Sequence, residues 1–162
     1  MSQTSSLHLR PATVADLARL SHWFTCAEAV QQWGGPLPRF PLDLDQLIED
    51  IDFLAQPAFA LCADSRLLAF GQIRPRADYH HLARLVVAPD ERGQGHGGRL
   101  VQALIDRYPR ANGFSLYVYR DNLAACRCYQ RLGFAEATDP EPGPPGGNCL
   151  FMTRPPSNLS HR

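Results

Sequence analysis

Leu85-Val86-Val87-Ala88-Pro89-Asp90-Glu91-Arg92-Gly93-Gln94-Gly95-His96-Gly97-Gly98 opens as an apolar run, breaks at proline and ends in a turn with four glycines. Behind it, Leu100, Val101, Leu104, Ile105 and Tyr108 recur at helical spacing. Strand, glycine turn and helix in this order describe a phosphate-binding turn. Glycine accepts positive φ and carries no Cβ, so successive backbone N–H groups can line one concavity that an anion approaches closely. The positive end of the following helix dipole adds to the same spot. The expected ligand is a phosphate or pyrophosphate, as the handle of a cofactor rather than its reacting group. A plain solvent-exposed turn is the competing reading.

Outside the turn, composition narrows the function classes. The chain has 162 residues, the size of one domain, and would bury roughly 68–70% of its unfolded surface. We expect a single domain over 1–162, with its core in 7–153 and a flexible tail at 154–162. Sixteen basic and sixteen acidic side chains cancel, leaving no electrostatic footprint for nucleic acid or an anionic membrane. All the basic residues are arginine, which excludes a lysine Schiff base and a phosphate-loop lysine. Cys26, Cys62, Cys126, Cys128 and Cys149 are odd in number and lack zinc or disulfide spacing, so we expect reduced thiols, no metal and a cytoplasmic location. The N-terminus lacks the charged-then-apolar pattern of an export signal, and no window approaches 18 apolar residues.

Working outward from the turn, residues 7–10 read as a short strand, and Thr13 caps a helix that carries Val14, Leu17, Leu20 and Phe24 on one face. Residues 31–41, rich in glycine and proline, read as a loop. Asp43 caps a second helix with Leu44, Leu47, Ile48 and Ile51. Residues 58–63 and 67–74 form a hairpin across Asp64-Ser65-Arg66, and 81–87 is the next strand. Phe114, Leu116 and Val118 alternate with Ser115, Tyr117 and Tyr119 in a strand. Asn122 caps a helix that Gly133 stops. Residues 139–147 hold four prolines and three glycines, a loop before a last strand at 148–153. The fold class is α/β (α+β): a mixed sheet with helices on its faces.

Two segments make the assignment specific: the turn above, with Arg92, Gly95 and Gly97 at fixed spacing, and Asn122-Leu123-Ala124-Ala125-Cys126-Arg127-Cys128-Tyr129-Gln130-Arg131-Leu132-Gly133-Phe134. Together they resemble the GNAT superfamily of N-acetyltransferases. The first is similar to its acetyl-CoA signature (Gln or Arg, two residues, Gly, one residue, Gly or Ala). The second is similar to its Asn-x-x-Ala-x-x-x-Tyr-x-x-x-Gly-Phe segment through Asn122, Ala125, Tyr129, Gly133 and Phe134. The likeness is close over 81–134 and loose elsewhere. It implies a mostly antiparallel sheet of about seven strands flanked by about four helices. It implies acetyl-CoA as co-substrate, with Arg92, Gly93, Gln94, Gly95, His96 and Gly97 around the diphosphate and Asn122 and Tyr129 beside the cofactor. Backbone groups of Leu85, Val86 and Val87, on a strand that splays from its neighbour, would take the pantetheine arm, and the same residues also serve as core. The acceptor would be a small-molecule or peptide amine. Dimers are common in the family.

Acetyl transfer to an amine needs a neutral nucleophile, a stabilised carbonyl oxygen and a proton for the departing thiolate. The resemblance gives the last task to Tyr129, whose alternative is packing. The backbone N–H of Val86 or Val87 is the candidate for polarising the carbonyl. Many family members carry a glutamate on the strand before the turn, where this chain has Tyr79-His80-His81. His81 best matches that site and is the candidate base, with His80, Tyr79, water alone, or a surface location of the histidines as alternatives. His96 is expected to face solvent or the cofactor. Trp33 and Phe40 read as a lid or aromatic wall, or as ordinary packing. Five acids between 43 and 52 would attract a cationic amine or form a solvated helix face. The rivals are a binding module that holds acetyl-CoA without turnover, on the missing glutamate, and a nicotinamide-dependent oxidoreductase, on Gly93-x-Gly95-x-x-Gly98.

Overall fold

In the computed structural model, which describes residues 6–144 and 147–157, the chain enters through β1 (Leu7–Pro11) and turns at once into α1 (Val14–Leu20). The capping box expected at Thr13 forms: its side chain accepts from the Asp16 N–H while Asp16 reaches back to the Thr13 N–H. Asp16 also takes a two-pronged bond from Arg10 at 2.6 and 2.9 Å, so this buried carboxylate has each charge answered. The readings of residues 1–5 as free of an export signal and of 158–162 as part of a tail fall outside the described residues.

The remaining elements are α2 (Ala27–Gly34), α3 (Leu44–Asp50), β2 (Ala58–Ala63), β3 (Arg66–Arg76), β4 (Tyr79–Val87), α4 (His96–Arg107), β5 (Phe114–Tyr119), α5 (Leu123–Arg131), β6 (Ala135–Glu136) and β7 (Cys149–Arg154). Their strands pair in the order β1-β2-β3-β4-β5-β7-β6. Neighbours β4 and β5 run parallel, whereas β1–β2, β2–β3, β5–β7 and β6–β7 are antiparallel. The expected seven-stranded mixed sheet is therefore present.

Three details differ from the sequence reading. A short 3-10 turn, Ser21–Trp23, follows α1, so Phe24 is buried from outside that helix, while Val14 is exposed. Three helices rather than two lie between β1 and β2, because α2 runs to Gly34 through what reads as loop. Its N-cap, Cys26, makes no side-chain bond, so the usual start signal is missing. Finally, only Asp64 and Ser65 connect β2 to β3, with Asp64 itself at φ 55°.

The chain divides into two compact units, Met1–Gln72 with Arg84–Leu100, and Ile73–Ala83 with Val101–Arg162. The divisions fall inside β3, β4 and α4. In the first unit Leu17, Leu20, Phe24, Val30, Leu47, Ile51, Ala58 and Phe70 form one apolar cluster, against which Trp33 and Val86 pack. Trp33 thus belongs to this cluster, and Phe40 is exposed. In the second unit the buried side chains include those of Phe114, Leu116 and Val118 on β5, Leu104 and Ile105 on α4, and Phe134 and Met152. All five cysteines are free thiols.

Candidate active site

The glycine turn lies in the first unit. After a 3-10 turn at Pro89–Glu91 and an extended Arg92, Gly93 and Gly95 take φ values of 77° and 82°. These are left-handed conformations that side chains other than glycine rarely adopt. Residues 92–95 are exposed, as an anion cradle requires. A Cβ on Gly93 would meet no atom within 4 Å, and one on Gly95 would meet only the Arg99 guanidinium, Nη1 at 3.9 Å. Arg99 donates to the Gln94 carbonyl at 2.9 Å, one turn into α4. The sequence reading passed over this cation, although a charge four residues beyond the second glycine is the signal that marks it. The first N–H groups of α4 have no partner inside the helix. An exposed glycine backbone, two arginines and a helix N-terminus fit a diphosphate, so the residues present suit coenzyme A.

His96 departs from expectation. Its side chain turns inward, 8% exposed, with Nε2 at 3.6 Å from Glu91 Oε2, and Glu91 also pairs with Arg66 at 3.3 Å. Only the backbone of His96 remains to serve a ligand. Gly97 has a different role from the other two glycines: a Cβ there would sit in ordinary contact, 3.7 Å, with Val87 Cγ2.

Leu85, Val86 and Val87, all half-buried, connect the turn to a kink at Arg84, whose φ is 52°. The Arg84 carbonyl accepts from Trp33 Nε1 at 2.8 Å. In the second unit the parallel ladder joins His80, His81 and Leu82 to Phe114, Ser115 and Leu116, and among the described residues its register reaches no further along β4. The resemblance implies a strand that splays from its neighbour; the ladder stops at Leu82, and the bend at Arg84 is an addition that the sequence reading did not anticipate.

The second unit holds Tyr129, Asn122 and His81. Asn122 caps α5 by accepting from the Ala125 N–H, as its position predicts. Tyr129 sits on α5, half-buried, with its ring edge-on to Phe134 at 6.1 Å between centroids. Burial, then the nearby Cys128 and Cys126 thiols, pushes its phenol up to about 12, so Oη holds its proton at neutral pH. That state is the one an acid needs.

His81 is not a surface residue. It is 2% exposed, its Nδ1 shares a 2.8 Å hydrogen bond with Ser115 Oγ, and its ring lies across Tyr117 and parallel to Phe151. Burial, reinforced by the charges of Arg74 and Arg76, pushes its pKa down to about 3. The imidazole is neutral at pH 7 but a weak base, almost wholly buried. His80 packs on Tyr108 and Tyr79 on Phe151, so both are also structural in their contacts. Among the described residues, Tyr129 and His81 share no partner.

A depressed histidine pKa has a stability consequence of definite sign. The unfolded chain takes up a proton near pH 6.5 that the folded one refuses until about pH 3, so stability falls as pH falls through that window. Between pH 7 and 5 the loss from this residue is about 2 kcal/mol. In His81→Gln, urea unfolding at the two pH values should show that part of the acid destabilisation gone; an unchanged difference refutes the burial argument.

Next to His81 lies a constellation that sequence reading missed. Arg76 grips Asp139 through Nε and Nη2 at 2.9 to 3.2 Å and also donates to the Glu141 and Pro142 carbonyls. Tyr117 donates a very short bond to Asp139 and carries the Arg76 guanidinium over its ring. Partial burial raises the Asp139 pKa, but the bonds from Tyr117 and Arg76 outweigh it and hold the carboxyl below its usual range. With its oxygens occupied, Asp139 anchors the proline-rich loop rather than acting as a base. Among the described residues no group of His, Cys, Asp and Glu could hold a metal, and no helix is long and apolar enough to cross a membrane.

Comparisons with known proteins bear on the fold and the family. The chain is 36% identical over 80 residues to the ribosomal protein bS18-alanine N-acetyltransferase of Salmonella typhimurium, covering 48% of this chain and 54% of that one. The match thus spans about half the length of that curated relative. Among solved structures, AAC(6')-Ib in complex with paromomycin and acetyl-CoA superposes with a TM-score of 0.71 at 23% identity, over 93% of each chain. The ribosomal-protein-S18-alanine N-acetyltransferase from Escherichia coli gives 0.62 at 23% identity, over 96% of this chain and 100% of the other. These likenesses establish the fold. The Acetyltransferase (GNAT) family profile matches residues 20–134, well over half of the sequence and including both motif segments, so the chain belongs to the GNAT family of acetyltransferases.

Proposed function

We propose that the chain is an N-acetyltransferase that moves the acetyl group of acetyl-CoA onto a primary amine of a small molecule or peptide, by direct attack in a ternary complex. The observation that carries the reading is the exposed turn at 92–95 with Gly93 and Gly95 in left-handed conformations at the head of α4. Family membership gives that cradle its ligand class. The relatives support an amine acceptor: one is named for an alanine of a ribosomal protein, and another was solved with paromomycin. A homodimer remains part of the proposal only through the family.

Bound acetyl-CoA would supply an acyl group activated as a thioester. The protein's share is electrostatic and positional. Arg92, Gly93, Gln94, Gly95 and the backbone of His96 and Gly97 hold the diphosphate, with Arg99 added to the set. Leu85, Val86 and Val87 offer backbone groups to the pantetheine arm, and a Val86 or Val87 N–H polarises the acyl oxygen. Asn122 fixes the start of α5 and so the setting of Tyr129, whose Oη proton serves the departing sulfur. We assign the amine's proton to water rather than to His81, because the imidazole is buried, bonded to Ser115 and weakly basic.

A second reading, acetyl-CoA binding without turnover, is favoured by the absence of a glutamate on β4. Thiol release from acetyl-CoA, followed with a panel of small amines and N-terminal peptides, separates the two. Amine-dependent release is expected. Tight binding with no release on any amine would leave the sensor reading standing, and stabilisation by NAD but not by coenzyme A would overturn both.

A further inference from the structure

Arg84 is a non-glycine residue in the left-handed region in the middle of a strand, a conformation that persists only where the surroundings fix it. Two separate tethers do so. Its carbonyl accepts from Trp33 Nε1 at 2.8 Å, and the indole is itself wedged against Phe24 and Phe70, with centroids at 4.8 and 6.3 Å. Its guanidinium Nη1 donates to Gln72 Oε1 at 3.1 Å, and Gln72, 1% exposed, donates in turn to the Ile51 carbonyl at 3.0 Å. Helix α2, the C-terminal cap of α3 and strand β3 thus converge on one residue of β4. Trp33, Phe24, Phe70, Gln72 and Ile51 all belong to the first unit, as Arg84 does.

We infer that Trp33 is a positioning residue for acetyl-CoA, acting through the Arg84 kink to set which backbone groups of Leu85, Val86 and Val87 are presented to the pantetheine arm. The inference rests on the acetyl-CoA reading above and adds to it a residue outside the two motif segments. Side-chain and backbone direction alternate along a strand, so a change at one residue redirects those that follow. Here the residues that follow are the three between the kink and the glycine turn. Val86 packs against the apolar cluster, so the Arg84 kink is a bend through which the setting of these three residues can be altered. A strand needed only for packing would run extended through position 84, without a strained residue and two part-buried tethers to hold it.

Trp33→Phe removes the N–H and keeps an aromatic ring in the cluster. Acetyl-CoA affinity, measured by calorimetry, is expected to weaken about tenfold, the size of one well-made hydrogen bond. Adenosine 3′-phosphate 5′-diphosphate, which has the diphosphate but no pantetheine, should bind within about twofold of wild type, since the glycine turn is untouched. Amide hydrogen exchange at residues 85–87 should speed up in the variant. Equal weakening of both probes, or unchanged acetyl-CoA affinity, overturns the inference. If Trp33→Phe does not fold, Gln72→Met, which keeps volume and removes both side-chain bonds, is expected to weaken acetyl-CoA about threefold with the same selectivity; no selectivity there overturns it equally. Wild-type protein that binds neither probe would instead refute the acetyl-CoA reading itself, and the inference with it.

Discussion

Gly95→Val is expected to weaken acetyl-CoA binding by up to about a hundredfold while leaving the fold intact. Gly95 sits at φ 82°, where a β-branched side chain is a genuine outlier and a strained backbone costs on the order of 1–3 kcal/mol. The chain can escape that cost only by rotating the residue back, which turns its N–H out of the concavity. Space within the protein offers no second reason for the glycine, because only the Arg99 guanidinium approaches within 4 Å of where a Cβ would stand. The penalty therefore falls on the shape of the turn and on ligand contact, not on the core. Up to about 3 kcal/mol of strain, or the equivalent in lost diphosphate contacts, corresponds to about a hundredfold in affinity. Gly97→Ala is the control: φ there is not left-handed and the added methyl meets Val87 at an ordinary 3.7 Å, so binding should stay within about threefold. Titration calorimetry with acetyl-CoA and a thermal melt of each variant settle the matter. Unchanged affinity in Gly95→Val would remove the turn from the site, and a collapsed melt would show that the glycine serves folding instead.

The features that were legible in the sequence are those whose signal is local. Thr13 and Asp16, or Asn122 and Ala125, lie three residues apart, and each cap forms as the residue types require. The turn at 92–97 was legible for the same reason, since its glycines and the helix they precede are contiguous. What could not be read involves partners far along the chain. Trp33 meets Arg84 across 51 positions, and Arg76 meets Asp139 across 63. No residue type announces a left-handed Arg84, because the tethers that enforce it come from α2 and β3 rather than from a glycine at that position. The burial of His81 was hidden for the same reason: nothing in Tyr79-His80-His81 announces that Ser115 on β5 and Phe151 on β7 lie against it. Helix α2 escaped notice because Cys26 gives no capping bond and the stability comes from burying Val30 and Trp33 in the cluster.

The second large effect concerns Tyr129. Tyr129→Phe is expected to lower kcat by about a hundredfold or more, within the usual range for loss of a positioned proton donor, with acetyl-CoA affinity within about twofold of wild type. Packing is preserved in the variant, because the contact with Phe134 is made by the ring and not by Oη. With its pKa pushed up to about 12, the phenol is a weaker acid than a thiol near 8.5, so Oη shares its proton with the developing negative charge more than it surrenders it. Proton balance follows from that order. The proton that the amine loses, carried through water, is the one that ends on the sulfur, and Oη relays or steadies it without itself staying ionised. The pH dependence has a matching sign: Tyr129 stays protonated as pH rises to about 10, so it adds no falling alkaline limb to the wild-type rate below that pH, and the profiles of wild type and variant should be parallel. Single-turnover thiol release measured from pH 6 to 10 tests both statements. Full activity in Tyr129→Phe would make the residue a packing element, and a wild-type limb near pH 8 that vanishes in the variant would mean that the phenol is activated as a base rather than held as an acid.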